Sequence, residues 1–246
     1  MHVIFDIETL PCNDPQVIAD FRNDAEAEKA AVKAPSNYKD EAKIAEFIAA
    51  KHAEIDAGIE ERIAKTSFSG LEGRIACISW KIDDGEPFAT SAEFTERQVI
   101  QQFYASVEAL SLRPRHEGTY QIETSFVGHN IAGFDLPFLK HRSIILGVTP
   151  PQIFRKAFAA KPWDSIIQDT MLLWSSDPHK RGSMDRLCRA FGIPGKGDFD
   201  GSMVAATWPT DPQKVIDYCK DDVRRTWEMY KRITFQFDDK QELKAA

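Results

Sequence analysis

The chain has 246 residues, of which 43% are hydrophobic and 11% aromatic, and its formal net charge is −7. This composition is ordinary for a globular protein with one substantial core, and no stretch approaches the roughly 20 apolar residues that span a membrane. The acidic balance argues against a protein that coats long nucleic-acid duplexes, because neutralising phosphates requires clustered Lys and Arg.

Charge is distributed unevenly along the chain. Residues 136–200 hold ten Lys and Arg against six Asp and Glu, a net of +4, whereas residues 14–66 hold eight against twelve, a net of −4. We therefore expect a local basic surface that suits contact with a few phosphates rather than with a long duplex.

The cysteines and the N-terminus bear on the cellular compartment. Cys12, Cys77, Cys188 and Cys219 are scattered without a metal-ligand spacing. The N-terminus enters an apolar strand pattern directly, without the basic region and cleavage site of a secretory signal. These features predict a reduced protein of the cytoplasm.

The first strand pattern contains two carboxylates, Asp6 and Glu8. Because side chains alternate along a strand, these two point to the same side. Adjacent carboxylates repel and are costly to bury unless a cation lies between them, and a divalent metal with oxygen ligands is the usual solution. The alternative is that Asp6 only starts a turn and Glu8 is solvated.

Residues 14–66 interrupt the pattern after this first strand. They are rich in Ala, Glu, Lys and Ile with helical periodicity, broken by Pro35-Ser36-Asn37. The pattern predicts two helices joined by a tight turn, which we call the helical insertion. Such an insertion can cover a site, bind a protein partner or only enlarge the fold.

The rest of the chain predicts further strands and helices. Strands are predicted over residues 74–82, 87–94, 125–128 and 166–169. Helices are predicted over residues 98–112, 136–146, 183–191 and 211–235, whereas 113–123 is typical of a loop and 149–163 predicts no definite element. This order indicates an α/β fold with a mixed five-stranded sheet flanked by helices, in one domain over residues 1–246.

The strand at residues 125–128 leads into a second polar segment. A glycine-containing turn follows it, and then a helix with Pro137 in its first turn. Asp135 therefore lies at a helix N-terminus. A plain N-cap is the alternative to a functional role for this aspartate.

The last predicted helix carries the third polar segment. Asp211 and Pro212 are a typical helix start, and the apolar stripe that follows places Asp222 on its flank and Asp221 roughly opposite. Asp222 can thus reach a site at the edge of the core, with Tyr218 one turn earlier. Asp221 is interpreted as a solvated surface charge.

In order and spacing, these three segments resemble the DEDD, or DnaQ-like, superfamily of 3′–5′ exonucleases. The residues that match its three motifs are, in order, Asp6 and Glu8, then Asn130, Phe134 and Asp135, and then Tyr218 and Asp222. The Tyr-x-x-x-Asp spacing is that of the tyrosine branch (DEDDy), and the stretch from Gly182 resembles exonuclease domains related to family-B DNA polymerases. The resemblance covers residues 1–12 and about 70–234.

This resemblance implies a ribonuclease H-like fold and phosphodiester hydrolysis with two divalent ions, Mg²⁺ or Mn²⁺. The metal ligands that it implies are Asp6, Glu8, Asp135 and Asp222. Zn²⁺ is disfavoured, since no His or Cys joins this set. The resemblance also implies that Tyr218 orients the attacking water, because a phenol with a pKa near 10 is already protonated and is no strong base.

Contacts with the terminal nucleotide are implied for Thr9 and Leu10, and Asn130 and Phe134 are candidates for the same pocket. Each also fits an ordinary structural role: Thr9 in the strand, Leu10 and Phe134 in the core, and Asn130 in a turn. Lys196, in a Gly-Lys-Gly loop, either touches a phosphate or is solvated.

The function predicted from these features is removal of nucleotides from the 3′ end of single-stranded nucleic acid, DNA in the first place. An exoribonuclease that trims RNA 3′ ends is the alternative among nucleases, since contact with a 2′-hydroxyl cannot be read from the sequence. A non-catalytic module that binds nucleic-acid ends, or a protein partner through residues 14–66, is the alternative from another class. The intact set of carboxylates disfavours it.

Overall fold

The structure is a computed structural model that describes residues 1–116, 118–175, 182–195 and 197–237. The chain divides into two compact units, one formed by Met1–Thr9 and the chain from Ile75 onward, the other by Leu10–Arg74. Within the described residues, no helix has both the length and the hydrophobicity needed to cross a bilayer.

A mixed sheet of five strands lies at the centre of the first unit. In chain order the strands are β1 (His2–Leu10), β2 (Arg74–Ile82), β3 (Phe88–Ala89), β4 (Leu112–Pro114), β5 (Thr119–Gln121), β6 (Ser125–Gly128) and β7 (Ile167–Asp169). The large sheet has the order β3-β2-β1-β6-β7, and β4 and β5 form a separate two-stranded sheet. β1 pairs with β6 and β6 with β7 in parallel, whereas β2 and β3 are antiparallel.

Helices flank the sheet within the first unit, and the first two helices of the chain form most of the second unit. In chain order the helices are α1 (Pro15–Ala31), α2 (Glu41–Lys65), α3 (Glu96–Ser111), α4 (Asp135–Ile145), α5 (Gln152–Ala159), α6 (Thr170–Trp174), α7 (Met184–Phe191), α8 (Val204–Thr207) and α9 (Pro212–Ile233). The predicted α/β fold, with a mixed five-stranded sheet flanked by helices and a helical insertion after the first strand, is confirmed.

Local sequence explains where the main helices begin. Thr95 accepts the N–H of Gln98, whose own side chain accepts the N–H of Thr95, so α3 starts with a capping box. Asp211 accepts the N–H of Lys214, and Pro212 occupies the first turn of α9, where its missing N–H has no consequence.

The two faces of the sheet bury different sets of side chains. Phe5, at an odd position of β1, packs on Phe103 of α3 and Phe126 of β6. Ile4, at an even position, joins a cluster with Val223 and Trp227 of α9. Strand alternation therefore directs the even-numbered side chains of β1 toward the face that α9 covers.

The second unit is built on α1 and α2, which are linked by polar contacts. Arg62 forms a bidentate ion pair with Glu28 at 2.6 Å, and Lys29 pairs with Asp56 at 2.7 Å. The N–H of Tyr38 donates to the carbonyl of Pro35 at 3.0 Å. The turn predicted at Pro35-Ser36-Asn37 is thus present, within a longer connection over residues 32–40.

The structure contains short elements that the sequence patterns did not predict. Residues 113–123 are not only a loop, because β4 and β5 pair there, with Arg113 opposite Tyr120. Residues 149–163 contain α5, which buries Ile153, Phe154 and Ala157. All three elements are short, so none of them offers enough repeats of its period to be recognised from sequence.

Candidate active site

The predicted carboxylates Asp6 and Glu8 lie at even positions of β1, as Ile4 does, and Glu8 is buried. Ile4 packs on α9, so alternation directs the two carboxylates to the face where α9 runs. The strand pattern thus presents both carboxylates to one helix, and that helix carries the third predicted motif.

A cysteine of α9 joins these two carboxylates. Ligand atoms of Asp6, Glu8 and Cys219 all lie within 4.8 Å of one another. The Cys219 thiol donates to Oδ2 of Asp6 at 3.5 Å, and burial raises its pKa, which keeps the thiol protonated for this bond. The expectation that no Cys lies with the carboxylates is therefore wrong. The only sequence signal of Cys219 is its position between Tyr218 and Asp222.

Asp135 is held against the same segment of β1. The N–H of Ile7, between Asp6 and Glu8 in sequence, donates to Oδ1 of Asp135 at 3.2 Å. Asp135 is only 3% exposed, and burial raises its pKa to about 7, with a further contribution from the charge of Asp169. Asp135 is the first residue of α4, and Phe134 occupies the cap position, so Asp135 is not a plain N-cap.

Tyr218 and Asp222 face this group from α9. Burial raises the pKa of Tyr218 first, and the negative charges of Asp222, Glu8 and Asp6 raise it further. The Tyr218 hydroxyl hydrogen-bonds to Asp222, so these carboxylates and the phenol share one environment. The ring of Tyr218 meets that of Phe199 edge-on, with centroids 5.0 Å apart, which fixes its orientation.

The register of α9 separates its two adjacent aspartates. Asp222 is buried, whereas the side chain of Asp221 is 49% exposed and pairs with Arg224 at 2.7 Å. Arg225 donates to Oδ1 of Asp222 at 2.8 Å, and its other nitrogens bind the carbonyls of residues 194 and 195. Sequence reasoning missed Arg225. Its one sequence signal is the i, i+3 spacing from Asp222.

Asp169 shapes the turn that precedes Asp135. Its carboxylate accepts the N–H groups of Asn130 at 3.0 Å and Ala132 at 3.1 Å. Asn130 has φ +67°, a left-handed conformation that Asn tolerates. A Cβ at Gly133 would lie 2.7 Å from Oδ1 of Asn130, so a larger residue there would require the Asn130 side chain to shift. The turn thereby fixes where the following helix starts.

The predicted substrate-binding residues differ in their burial and in the part of the fold to which they belong. Phe134 is half-buried, with its ring 5.5 Å from that of Phe138. Thr9 is half-buried, and strand alternation assigns it to the face of Phe5 rather than that of Glu8. Leu10 is buried and belongs to the second unit, while Lys196 lies outside the described residues.

The donor set fits a divalent cation. Asp6 and Glu8 flank the backbone N–H that holds Asp135, so carboxylates from β1 and α4 meet at one short segment. Burial raises the pKa of Asp135 to about 7, so the backbone hydrogen bonds to its carboxylate offset only part of the cost of its charge. A cation would compensate it, and carboxylate oxygens are the ligands that Mg²⁺ and Mn²⁺ prefer.

Comparison with known proteins identifies the family. A family model described as a predicted 3′–5′ exonuclease related to the exonuclease domain of PolB matches residues 75–244. The chain belongs to this family. The match includes the segments of Asp135 and of Tyr218 with Asp222, whereas Asp6 and Glu8 precede it. The predicted relation to family-B polymerase exonucleases is confirmed, and membership of the tyrosine branch stays a prediction.

A solved structure supports the fold of this chain. The chain is similar to the family B DNA polymerase from the hyperthermophilic archaeon Pyrobaculum calidifontis, with a TM-score of 0.55 and 19% identity. The likeness covers 95% of this chain and 24% of the polymerase, so the chain spans about a quarter of that protein's length. At this identity the comparison concerns the fold, which is consistent with the ribonuclease H-like exonuclease fold. No curated protein sequence matches the chain.

Proposed function

We propose that the protein is a 3′–5′ exonuclease of the tyrosine branch that hydrolyses single-stranded DNA from its 3′ end. The observation that carries this proposal is the hydrogen bond from the Ile7 N–H to Asp135, between Asp6 and Glu8. Residues 1–246 are proposed to form one exonuclease domain with the helical insertion at residues 14–66, and the cytoplasmic location stays a prediction.

The carboxylates Asp6, Glu8, Asp135 and Asp222 would hold two divalent ions, Mg²⁺ or Mn²⁺. When bound, these ions supply a nucleophilic water of lowered pKa and neutralise the charge that builds on phosphorus and on the leaving oxygen. The buried position of Asp135 and Asp222 favours this role, because a carboxylate binds a cation more strongly where water is excluded.

Two side chains of α9 would position the reacting groups. Tyr218 has a raised pKa, so its phenol stays protonated and orients water by hydrogen bonding rather than by taking its proton. Arg225 donates to the carboxylate of Asp222 and is itself anchored on two backbone carbonyls. Asp222 is thereby kept in one orientation before any ligand binds.

The test is incubation of the purified protein with 5′-labelled single-stranded DNA or RNA in Mg²⁺, Mn²⁺ or EDTA. We expect products shortened from the 3′ end in either metal, none in EDTA, and faster degradation of DNA than of RNA. Asp135→Asn should abolish the reaction, whereas the control Asp221→Asn should not. Absence of hydrolysis in both metals would refute the proposal. Faster degradation of RNA than of DNA would identify RNA as the preferred substrate.

A further inference from the structure

An apolar groove with an exposed tryptophan lies beside β7. It has a volume of about 460 Å³ and is lined by Pro162, Trp163, Leu172 and Leu173, with Asp169 at its polar end. We call it the tryptophan groove. Trp163 is 77% exposed, so most of its indole surface is available for contact with a ligand.

The tryptophan is presented by a tight turn. The N–H of Asp164 donates to the carbonyl of Lys161 at 2.9 Å, and the N–H of Lys161 donates back to Oδ2 of Asp164 at 2.8 Å. Pro162 occupies the second position of this turn, where its fixed φ is favourable. The backbone beneath Trp163 is therefore rigid, and a ligand that stacks on the indole does not need to order it.

A smaller depression continues the groove toward the helix of Asp135. It has a volume of about 240 Å³, shares Pro162 and Ile167 with the tryptophan groove, and reaches Leu136 and Lys140 of α4. Leu136 directly follows Asp135, and Asp169 of the groove accepts the N–H groups of Asn130 and Ala132 in the turn that precedes Asp135. The two depressions therefore form one surface that adjoins a proposed metal ligand.

The cations of this surface are not neutralised. Within the described ranges, the side chain of Lys140 in the smaller depression and that of Lys161 beside Trp163 form no ion pair, and both residues are exposed. By contrast, Arg142 pairs with Glu96 at 2.8 Å. Two unpaired cations beside an apolar groove provide a positive field that suits a polyanion.

Trp163 and Lys161 act together on this surface. The ammonium group of Lys161 lies 5.6 Å from the centroid of the Trp163 ring. An aromatic face beside a cation is the arrangement by which proteins bind single strands, since a base stacks on the ring while the cation meets the phosphate. A duplex does not fit as well, because its base faces are covered by their neighbours.

We propose that the tryptophan groove and the depression beside Lys140 bind single-stranded nucleic acid upstream of the 3′ terminus. A base stacks on Trp163, and Lys140 and Lys161 contact phosphates. This inference rests on the proposed function for the terminus and adds a site that holds the strand while its end is hydrolysed. It requires that strand length and Trp163 matter for binding, not only the terminal nucleotide.

The test measures equilibrium binding in EDTA, so that no strand is degraded. Fluorescence anisotropy would give the dissociation constant for a labelled single strand of about 12 nucleotides and for a duplex of the same length. Trp163→Ala should weaken single-strand binding about fivefold or more, as expected for loss of one stacked base, while Trp163→Phe should retain most of it. The control Phe88→Ala removes an aromatic ring that is 54% exposed on β3, at the opposite edge of the sheet, and should have no effect.

The phosphate contacts of Lys140 and Lys161 are tested separately, through the salt dependence of strand affinity. The double variant Lys140→Met/Lys161→Met should reduce the dependence of affinity on salt by about 1.4 units of logarithmic slope, since roughly 0.7 is expected for each of the two phosphate contacts with a single strand. Arg189→Met is the matched control, because Arg189 is exposed but paired with Asp185. Thermal unfolding would show whether each variant is folded.

Equal affinities of Trp163→Ala and Phe88→Ala for the single strand would overturn the inference, as would tighter binding of the duplex. An unchanged salt slope in the double variant would remove the proposed phosphate contacts. Hydrolysis is measured separately in Mn²⁺. An inactive protein that still binds strands through Trp163 would refute the exonuclease proposal but leave the binding site. An active protein whose strand affinity does not depend on Trp163 would refute the binding site but leave the exonuclease proposal.

Discussion

Replacing Asp135 by Asn removes a carboxyl group whose ionisation opposes folding. Burial raises its pKa from 3.8 to about 7, and the charge of Asp169 adds to this. The Ile7 N–H to Oδ1 hydrogen bond survives the change, since an amide oxygen accepts it equally well. Asp135→Asn therefore removes the charge and keeps the packing.

The sign and size of the effect follow from the two pKa values. Below about pH 4 the carboxyl is protonated in both the folded and the unfolded chain. Its burial then costs no ionisation energy, and the free energy of unfolding is at its highest with respect to this group. Between about pH 4 and pH 7 the unfolded chain binds fewer protons than the folded protein, and the free energy of unfolding falls as pH rises. A difference of about three pH units corresponds to up to about 4 kcal/mol.

The assay is denaturant unfolding in EDTA at about pH 5 and about pH 8. Wild type should lose stability between these values, whereas Asp135→Asn should lose less and be the more stable protein at the higher pH. Asp221→Asn is the control, because its exposed carboxylate should contribute little. An identical loss in wild type and Asp135→Asn would refute the reasoning.

Adding Mn²⁺ at about pH 8 extends the same experiment. A cation that binds the folded, ionised site stabilises it by mass action, so wild type should gain stability and Asp135→Asn should gain much less. Equal stabilisation of the two proteins would mean that Asp135 is not a ligand.

The remaining predictions concern α9. Tyr218→Phe keeps the ring against Phe199 and should lower turnover by about 10²–10⁴-fold with little change in strand affinity, as measured in single-turnover assays. Asp222→Asn should lose far more activity than Asp221→Asn in the labelled-strand assay, and equal losses would mean that helix register does not decide the ligand. Arg225→Met frees the Asp222 carboxylate and should weaken Mn²⁺ activation about 10–100-fold in a metal titration, whereas an unchanged titration would leave Arg225 a purely structural role.

Periodicity in the sequence explains why much of this arrangement could be predicted. The two-residue period of β1 assigns Asp6 and Glu8 to one side, and the apolar stripe of α9 distinguishes Asp222 from Asp221. Both rules depend only on local backbone geometry. The contacts that bring β1 and α9 to the same place do not follow from periodicity, and the resemblance to a known family supplied that expectation.

Residues whose role depends on tertiary contacts could not be predicted in this way. Cys219 looks like one more apolar residue of the α9 stripe until its thiol is seen to donate to Asp6. Arg225 has the spacing of an ordinary helical ion pair, and only the carbonyls of residues 194 and 195 show that it is fixed. Trp163 lies in a segment that predicted no definite element, so its exposure could not be anticipated.

The donors around the carboxylates have a common consequence for how a cation would bind. Cys219 donates to Asp6, the Ile7 N–H donates to Asp135, and Arg225 donates to Asp222. Each of these donors binds one oxygen of its carboxylate, and a carboxylate has two oxygens that can accept hydrogen bonds or bind a cation. The orientation of these groups is therefore set by the fold before a cation arrives, and little side-chain entropy remains to be lost on binding. Activity should accordingly respond to changes in these donors even though none of them needs to touch the substrate.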